Sequence, residues 1–167
     1  MQIKLDLAKL EQIDGIFAMY KKAVESMKRL GIDQWDDAYP DLATITEDVQ
    51  NQHLHVGILE GVIAVAVAVN QSADPEYQKG GWQDSSGDFS VIHRLCVSPD
   101  FQNRGIARAV MTSIEHRERE LGRKSIRLDS FSKNPHALRL YQSLGYRIVG
   151  EAQFRKGTFI MMEKLLT

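Results

Sequence analysis

Residues 97–116 read VSPDFQNRGIARAVMTSIEH. The apolar run before them, FSVIHRLCV (89–97), reads as a strand buried on both faces. Ile106, Val110 and Ile114 then recur at helical spacing and predict a helix over about 105–121. Between strand and helix lies a short polar loop centred on Gln102-Asn103-Arg104-Gly105-Ile106-Ala107. A strand that passes through a short loop into a helix N-terminus builds an anion site. The first helical N–H groups have no intrahelical acceptor, and the aligned peptide dipoles leave partial positive charge there. Phosphates bind such ends. Gly105 removes a Cβ where phosphate would approach the backbone, Ala107 is small, and Arg104 and Arg108 add positive charge. No Gly-Lys-Ser/Thr follows, so this is not a Walker loop, and the Gly-x-Gly-x-x-Gly spacing of a dinucleotide site is absent. Taken alone, the loop also fits a helix that merely needs a flexible entry.

Working outward, residues 2–6 alternate weakly as a first strand. Leu10, Ile13, Phe17, Tyr20, Val24 and Met27 predict a helix over 8–29, ended by Gly31. The polar-aromatic loop GIDQWDDAYP follows, and Asp41 can cap a second helix to about Gln52. LHVGILEGVIAVAVAV (54–69) reads as two strands turning at Glu60-Gly61. Residues 71–88 form a long Gly/Ser/Asp-rich loop, a length that often signals function or mobility. KSIRLDSF is another strand. In PHALRLYQSLG, Asn134 suits the cap of a short helix, Pro135 its first turn and Gly145 its end. YRIVGEA and TFIMMEKLL close the chain as strands. The expected fold is mixed α/β, with no internal repeat and no linker, and residues 1–167 are expected to form a single domain.

Composition narrows the partners. The formal net charge is −1, so nothing predicts nucleic acid or an anionic membrane. The longest apolar run, VIAVAVAV (62–69), is far too short to span a bilayer, and MQIKLDLAKLEQ lacks the apolar core of a signal peptide. The single Cys96 excludes an intrachain disulfide and points to a reducing, cytoplasmic setting.

Two signatures together resemble a known family. Gln102, Gly105 and Ala107 match the acyl-CoA loop of the GCN5-related N-acetyltransferases (GNAT), whose pattern is Gln/Arg-x-x-Gly-x-Gly/Ala after a strand. Asn134, Ala137, Tyr141, Gly145 and Tyr146 match the family's second signature, at the right distance from the first. The resemblance covers residues 90–147 most strongly. It implies a splayed central sheet of about seven strands flanked by about four helices.

The resemblance implies acetyl-CoA as cosubstrate. Its pyrophosphate would sit on the N–H groups of Asn103, Arg104, Gly105, Ile106, Ala107 and Arg108, with Gln102 alongside. Its pantetheine arm would run along Leu95-Cys96-Val97 as an extra strand, and Asn134, Ala137 and Tyr141 would complete the cofactor site. An amine attacks the thioester directly, and Tyr141 matches the family's general acid, which protonates the departing sulfur. The alternative is that its ring packs in the core and its hydroxyl bonds elsewhere. Some relatives carry a glutamate base where this chain has Val91. His93 lies two residues on and is the candidate base, directly or through water; the alternatives are a strand histidine bonded to a neighbour, or a water relay with no single base. Arg94 reads as a buried ion-pair partner in preference to a lining residue, and Cys96 as packing. The five histidines show no metal spacing of note, and no metal is expected.

The acceptor is expected near the first two helices, where Trp35 and Tyr39 form an aromatic wall or, alternatively, anchor a surface loop. Tyr77 and Trp82 read as a lid, a cover for the hairpin edge, or a contact with a second subunit, which leaves a homodimer open. The leading reading is an enzyme that acetylates a primary amine of a small molecule, amino acid or peptide. The alternatives are a non-catalytic acyl-CoA-binding regulatory module and a protein N-terminal or lysine acetyltransferase.

Overall fold

Glu60 and Gly61 take φ of 52° and 77°, the paired left-handed residues of a tight hairpin turn, where the sequence places the turn. In the computed structural model, which describes residues 2–167, the chain forms β1 (Leu5–Leu7), α1 (Ile13–Arg29), α2 (Leu42–Gln50), β2 (Leu54–Leu59), β3 (Val62–Asn70), β4 (Phe89–Val97), α3 (Ile106–Glu120), β5 (Ser125–Phe131), α4 (Pro135–Ser143), β6 (Arg147–Phe154) and β7 (Gly157–Leu165). The strands make one seven-stranded sheet in the order β1-β2-β3-β4-β5-β7-β6, with four α-helices, as the resemblance implied. The chain gathers into two units. One runs to Val69 and adds Arg94–Ser113; the other comprises Asn70–His93 and Ile114–Thr167.

In the first unit, α1 buries Ile16, Met19, Tyr20, Ala23 and Val24, a stripe at helical spacing. Asp41 caps α2 by accepting from Thr44 N–H at 2.8 Å, and the helix adds Ile45 and Val49 to the same core. The sheet side of that core is set by register. Leu54 pairs with Ala68 and Val56 with Ala66, so large residues of β2 stand beside small ones of β3 under the helices. Ile16, Tyr20, Ile45 and Leu54 are fully buried, each worth about 1.5–3 kcal/mol relative to exposure.

In the second unit, β4 and β5 run parallel, and their ladder is short: Phe89↔Ser125, Ser90↔Ile126, Val91↔Arg127. β5, β7 and β6 continue as antiparallel neighbours. The 71–88 segment is not structureless. It contains a 3-10 turn, Pro75–Lys79, that the sequence reading missed. Nor does it have the freedom of a lid. Tyr77 is 2% exposed within an apolar cluster with Val91, Ala152 and Met161, and its hydroxyl donates to Asp129 Oδ2 at 2.6 Å. Trp82 Nε1 donates to the Tyr77 carbonyl, and the Glu163 carboxylate takes the N–H groups of Gln83 and Asp84 at 2.8 and 3.2 Å. The Arg127 guanidinium lies against the rings of Phe89 and Trp82, 3.8 and 4.5 Å from their centroids. These bonds strap the loop to the sheet.

Arg94 interrupts β4. Its φ is 54°, left-handed backbone that a non-glycine residue adopts at a cost of about 1–2 kcal/mol. Its side chain holds it there. The guanidinium grips Asp48 on α2 in a bidentate pair, Nε to Oδ2 at 2.9 Å and Nη2 to Oδ1 at 2.7 Å. Nη1 donates to the Tyr39 hydroxyl at 2.9 Å, and the Arg94 carbonyl accepts from the Tyr20 hydroxyl. Burial above all raises the pKa of Tyr20 well above the ordinary phenol value, so the hydroxyl keeps the proton it donates. Arg94 is thus the buried ion-pair partner its sequence context suggested. Asp48→Ala leaves a largely buried guanidinium without its counter-charge. We expect a loss of about 3–5 kcal/mol in urea unfolding; a change within error of zero would show that the pair does not hold this kink.

Candidate active site

In the first unit, the loop after β4 is held at both ends and exposed between them. Phe101 and Ile106 are 4% and 2% exposed, whereas Gln102 through Gly105 lie on the surface. Asn103 and Gly105 have φ of 62° and 76°, so two residues of the loop are left-handed with one between them. Such alternation turns neighbouring N–H groups toward a common concavity. Ala109 N–H donates to the Gly105 carbonyl at 3.1 Å. The N–H groups of residues 103–107 donate to no acceptor among the described residues. The glycine is needed for its backbone conformation as well as for the reason the sequence suggested. A Cβ at position 105 would meet nothing within 4 Å; it is the positive φ that a side chain would resist.

The side chains around this row are partly committed. Arg104 Nη1 lies 3.6 Å from Glu60 Oε1, and its guanidinium sits 5.0 Å from the Phe101 ring centroid. Arg108 is exposed, and Ala107 is half-buried. Gln102 Nε2 donates to the Val97 carbonyl at 3.4 Å, tying the loop back to the end of β4. Leu95 and Val97 are half-buried on either side of Cys96. Cys96 belongs to the core with Tyr20 and Trp35, and burial pushes its thiol up to about 12. It is a packing residue.

Trp35 and Tyr39 separate in role. Trp35 is 8% exposed, with its ring 5.6 Å from that of Tyr20, and so anchors its loop in the core. Tyr39 is 37% exposed and gives its hydroxyl oxygen to Arg94. Asp36 shapes the loop by accepting from the N–H groups of Ala38 and Tyr39 at 2.9 and 3.2 Å.

In the second unit, the 134–146 signature is a set of helix ends. Asn134 caps α4, its Oδ1 accepting from Ala137 N–H at 3.3 Å, which explains the three-residue spacing. Gly145 (φ 94°) and Tyr146 close the other end: Gly145 N–H reaches the Gln142 carbonyl and Tyr146 N–H that of Tyr141, both at 3.0 Å. The Tyr141 ring meets that of Tyr146 edge-on at 5.9 Å. Its ring is buried, as in the packing alternative, and its hydroxyl makes no hydrogen bond among the described residues. Burial, then the Asp129 carboxylate, raise its pKa well above the ordinary phenol value. Tyr141 therefore rests protonated. His93 Nε2 lies 2.9 Å from Asn70 Oδ1 and 3.0 Å from the Ser72 carbonyl. A carbonyl can only accept, so Nε2 carries the proton and Nδ1 is the ring nitrogen that can take one. This is the neighbour-bonded strand histidine of the sequence alternatives. Two groups escaped the sequence reading. Asp48 carries no local signal. Asp129 does: it alternates with Arg127 on β5 as the half-buried residues between buried Ile126, Leu128 and Ser130.

A family model described as the acetyltransferase (GNAT) family matches residues 17–146. The chain belongs to the acetyltransferase (GNAT) family. Among proteins similar to it, the Bacillus subtilis (strain 168) uncharacterized N-acetyltransferase YesJ is 25% identical over 143 residues, 84% of this chain and 79% of the relative. The spermine/spermidine N(1)-acetyltransferase of the same strain is 29% identical over 92 residues, 54% of this chain and 57% of that protein. In structure, a GNAT-family acetyltransferase of Streptococcus agalactiae superposes with a TM-score of 0.87 at 26% identity, covering 98% of this chain and 95% of that one. The Salmonella typhimurium protein yncA, solved with acetyl-CoA, shares the fold, with a TM-score of 0.71 at 17% identity over 100% and 95% of the two chains.

Among the described residues no helix is long and apolar enough to cross a membrane. Burial and its high pKa predict an inert Cys96: the native acetyltransferase should resist iodoacetamide at mildly alkaline pH and react once denatured, as read by mass spectrometry. Rapid labelling of the native protein would contradict the packing role.

Proposed function

We propose that this acetyltransferase moves an acetyl group from acetyl-CoA to a primary amine of a small molecule, amino acid or peptide. The observation that carries the reading is the row of N–H groups at residues 103–107 with no acceptor among the described residues, at the start of a helix. Such a row matches the oxygens of a pyrophosphate, and the helix dipole adds to it. Gln102, Arg104 and Arg108 flank the diphosphate in this reading, and Leu95-Cys96-Val97 offers main-chain groups to the pantetheine arm. Asn134 and Ala137 position α4. The two compact units then act as one acetyltransferase domain, in a reducing cytoplasm that suits the lone thiol.

Catalysis needs an ammonium to lose a proton and a thiolate to gain one. Tyr141 supplies the second: its hydroxyl is protonated at rest and makes no hydrogen bond among the described residues. His93 is the relay for the first, through Nδ1. Tyr39, exposed and bonded to Arg94, shapes the acceptor side, and Trp35 anchors its loop in the core. A cationic acceptor is in keeping with the spermine and spermidine named for a partial relative.

Thermal unfolding with acetyl-CoA, CoA and ATP in parallel tests the cofactor reading. Acetyl-CoA and CoA at a hundredfold excess over Kd should stabilise the protein by about 2.7 kcal/mol, and ATP should not. Gly105→Val, which forces a branched side chain into left-handed backbone, should abolish the shift. No shift with saturating acetyl-CoA in the unaltered protein would sink the proposal. Tyr141→Phe should lower kcat by about 10²–10⁴-fold, with the acetyl-CoA shift retained. His93→Ala should lower the rate and move its pH profile; an unchanged profile removes His93 from the proton path.

A further inference from the structure

The position at which some relatives are expected to carry a glutamate base is Val91 here, and it is fully buried in the apolar cluster of the second unit. The next strand supplies a carboxylate. Val91 on β4 pairs with Arg127 on β5 in a parallel ladder. Alternate residues share a face, so two residues further on His93 and Asp129 stand on the face of that pair. Asp129 is half-buried, and Oδ2 accepts from the Tyr77 hydroxyl at 2.6 Å. That bond fixes the carboxylate, because the Tyr77 ring is itself locked in the core.

We propose that Asp129 is a catalytic residue: its carboxylate binds the ammonium of the acceptor and takes its proton. The inference rests on the acetyl-transfer reading above. The ammonium gives one proton to Asp129, and the neutral nitrogen forms the new C–N bond as the C–S bond breaks. Tyr141 protonates the departing sulfur and regains a proton from the acylated nitrogen through solvent. Asp129 passes its proton to solvent through water and His93 Nδ1, the relay of the reading above. The sum is an alkylammonium and acetyl-CoA giving an N-alkylacetamide, CoA thiol and one proton.

The groups facing Asp129 bear on this step. They are Tyr77, with Asp74 behind it, from the strapped loop; Tyr141 from α4; Arg127 on the same face of β5; and His93 on β4. The Asp129 charge is among the causes that hold the proton on Tyr141. Protonating Asp129 removes that charge, so Tyr141 becomes a stronger acid as the sulfur needs its proton.

The test compares nucleophiles. Thiol release from acetyl-CoA is followed for the wild type, Asp129→Asn and Asp129→Glu. The acceptors are whichever alkylamine of a primary-amine panel the wild type uses fastest, and hydrazine, whose conjugate acid is far more acidic than an alkylammonium, so that a large share is already neutral near pH 8 and depends far less on a base. Asp129→Asn should lose about 10²–10⁴-fold in kcat/KM with the alkylamine and under tenfold with hydrazine, while keeping the acetyl-CoA thermal shift. Asp129→Glu should recover part of the loss, and the acid limb of the pH–rate profile should vanish in Asp129→Asn. Equal losses with both nucleophiles, or no loss, overturn the role of Asp129 and leave the acetyl-transfer reading standing. A wild type that binds acetyl-CoA but acetylates no alkylamine overturns the amine reading and this inference with it. Absence of the acetyl-CoA shift overturns the cofactor reading instead.

Discussion

The bidentate pair between Arg94 and Asp48 sets the geometry of the first unit. β4 would run straight through Arg94 if φ there were extended. A left-handed residue in mid-strand shifts the phase of everything after it, so Leu95, Cys96 and Val97 present different faces from those that simple alternation assigns. Glycine is the usual occupant of such a position, and glycine would leave it loose. Arginine instead brings contacts from three places in the sequence: Asp48 from α2, Tyr39 from the loop before it and Tyr20 from α1. Each fixes the same residue. A backbone conformation that costs about 1–2 kcal/mol persists because its surroundings over-determine it.

The exposed loop after β4 obeys the same logic at smaller scale. Phe101 and Ile106 sink into apolar surroundings at its two ends, and Gln102 reaches back to the Val97 carbonyl. Residues 102–105 are therefore constrained without being buried. The arginines are secondary. Arg104 is drawn toward Glu60 at 3.6 Å, and both side chains are well exposed. An exposed pair of that kind contributes about 0–1 kcal/mol to stability. Attraction for a diphosphate in this reading comes first from backbone amides and the helix terminus, which no side-chain substitution removes.

Much of this was legible because it is local. The Glu60-Gly61 turn, the Asn134 cap and the Gly145 helix end each follow from residues within a few positions of one another, and each appears where expected. The 134–146 signature proves to be the two ends of α4, so its spacing records capping geometry. What the sequence hid is non-local. Nothing near Asp48 announces a partner 46 residues away on β4. The 71–88 segment reads as mobile because its Gly, Ser and Asp residues look free, yet the bonds that strap it come from β5 and β7. Trp35 stays open between recognition and loop anchor in the sequence, for want of any sign that its ring packs against Tyr20.

Valine at position 91 has a structural counterpart. A glutamate there would project into the cluster of Val91, Tyr77, Ala152 and Met161, and a carboxylate in such surroundings is costly unless paired. Valine lets the Tyr77 ring settle against β4 and drives the strapped loop down onto the sheet. Only a Tyr77 seated there delivers its hydroxyl to Asp129 at 2.6 Å. A buried valine on β4 and a fixed carboxylate on β5 are thus parts of one packing arrangement. The carboxylate is half-buried and held by the Tyr77 hydroxyl beside that apolar cluster.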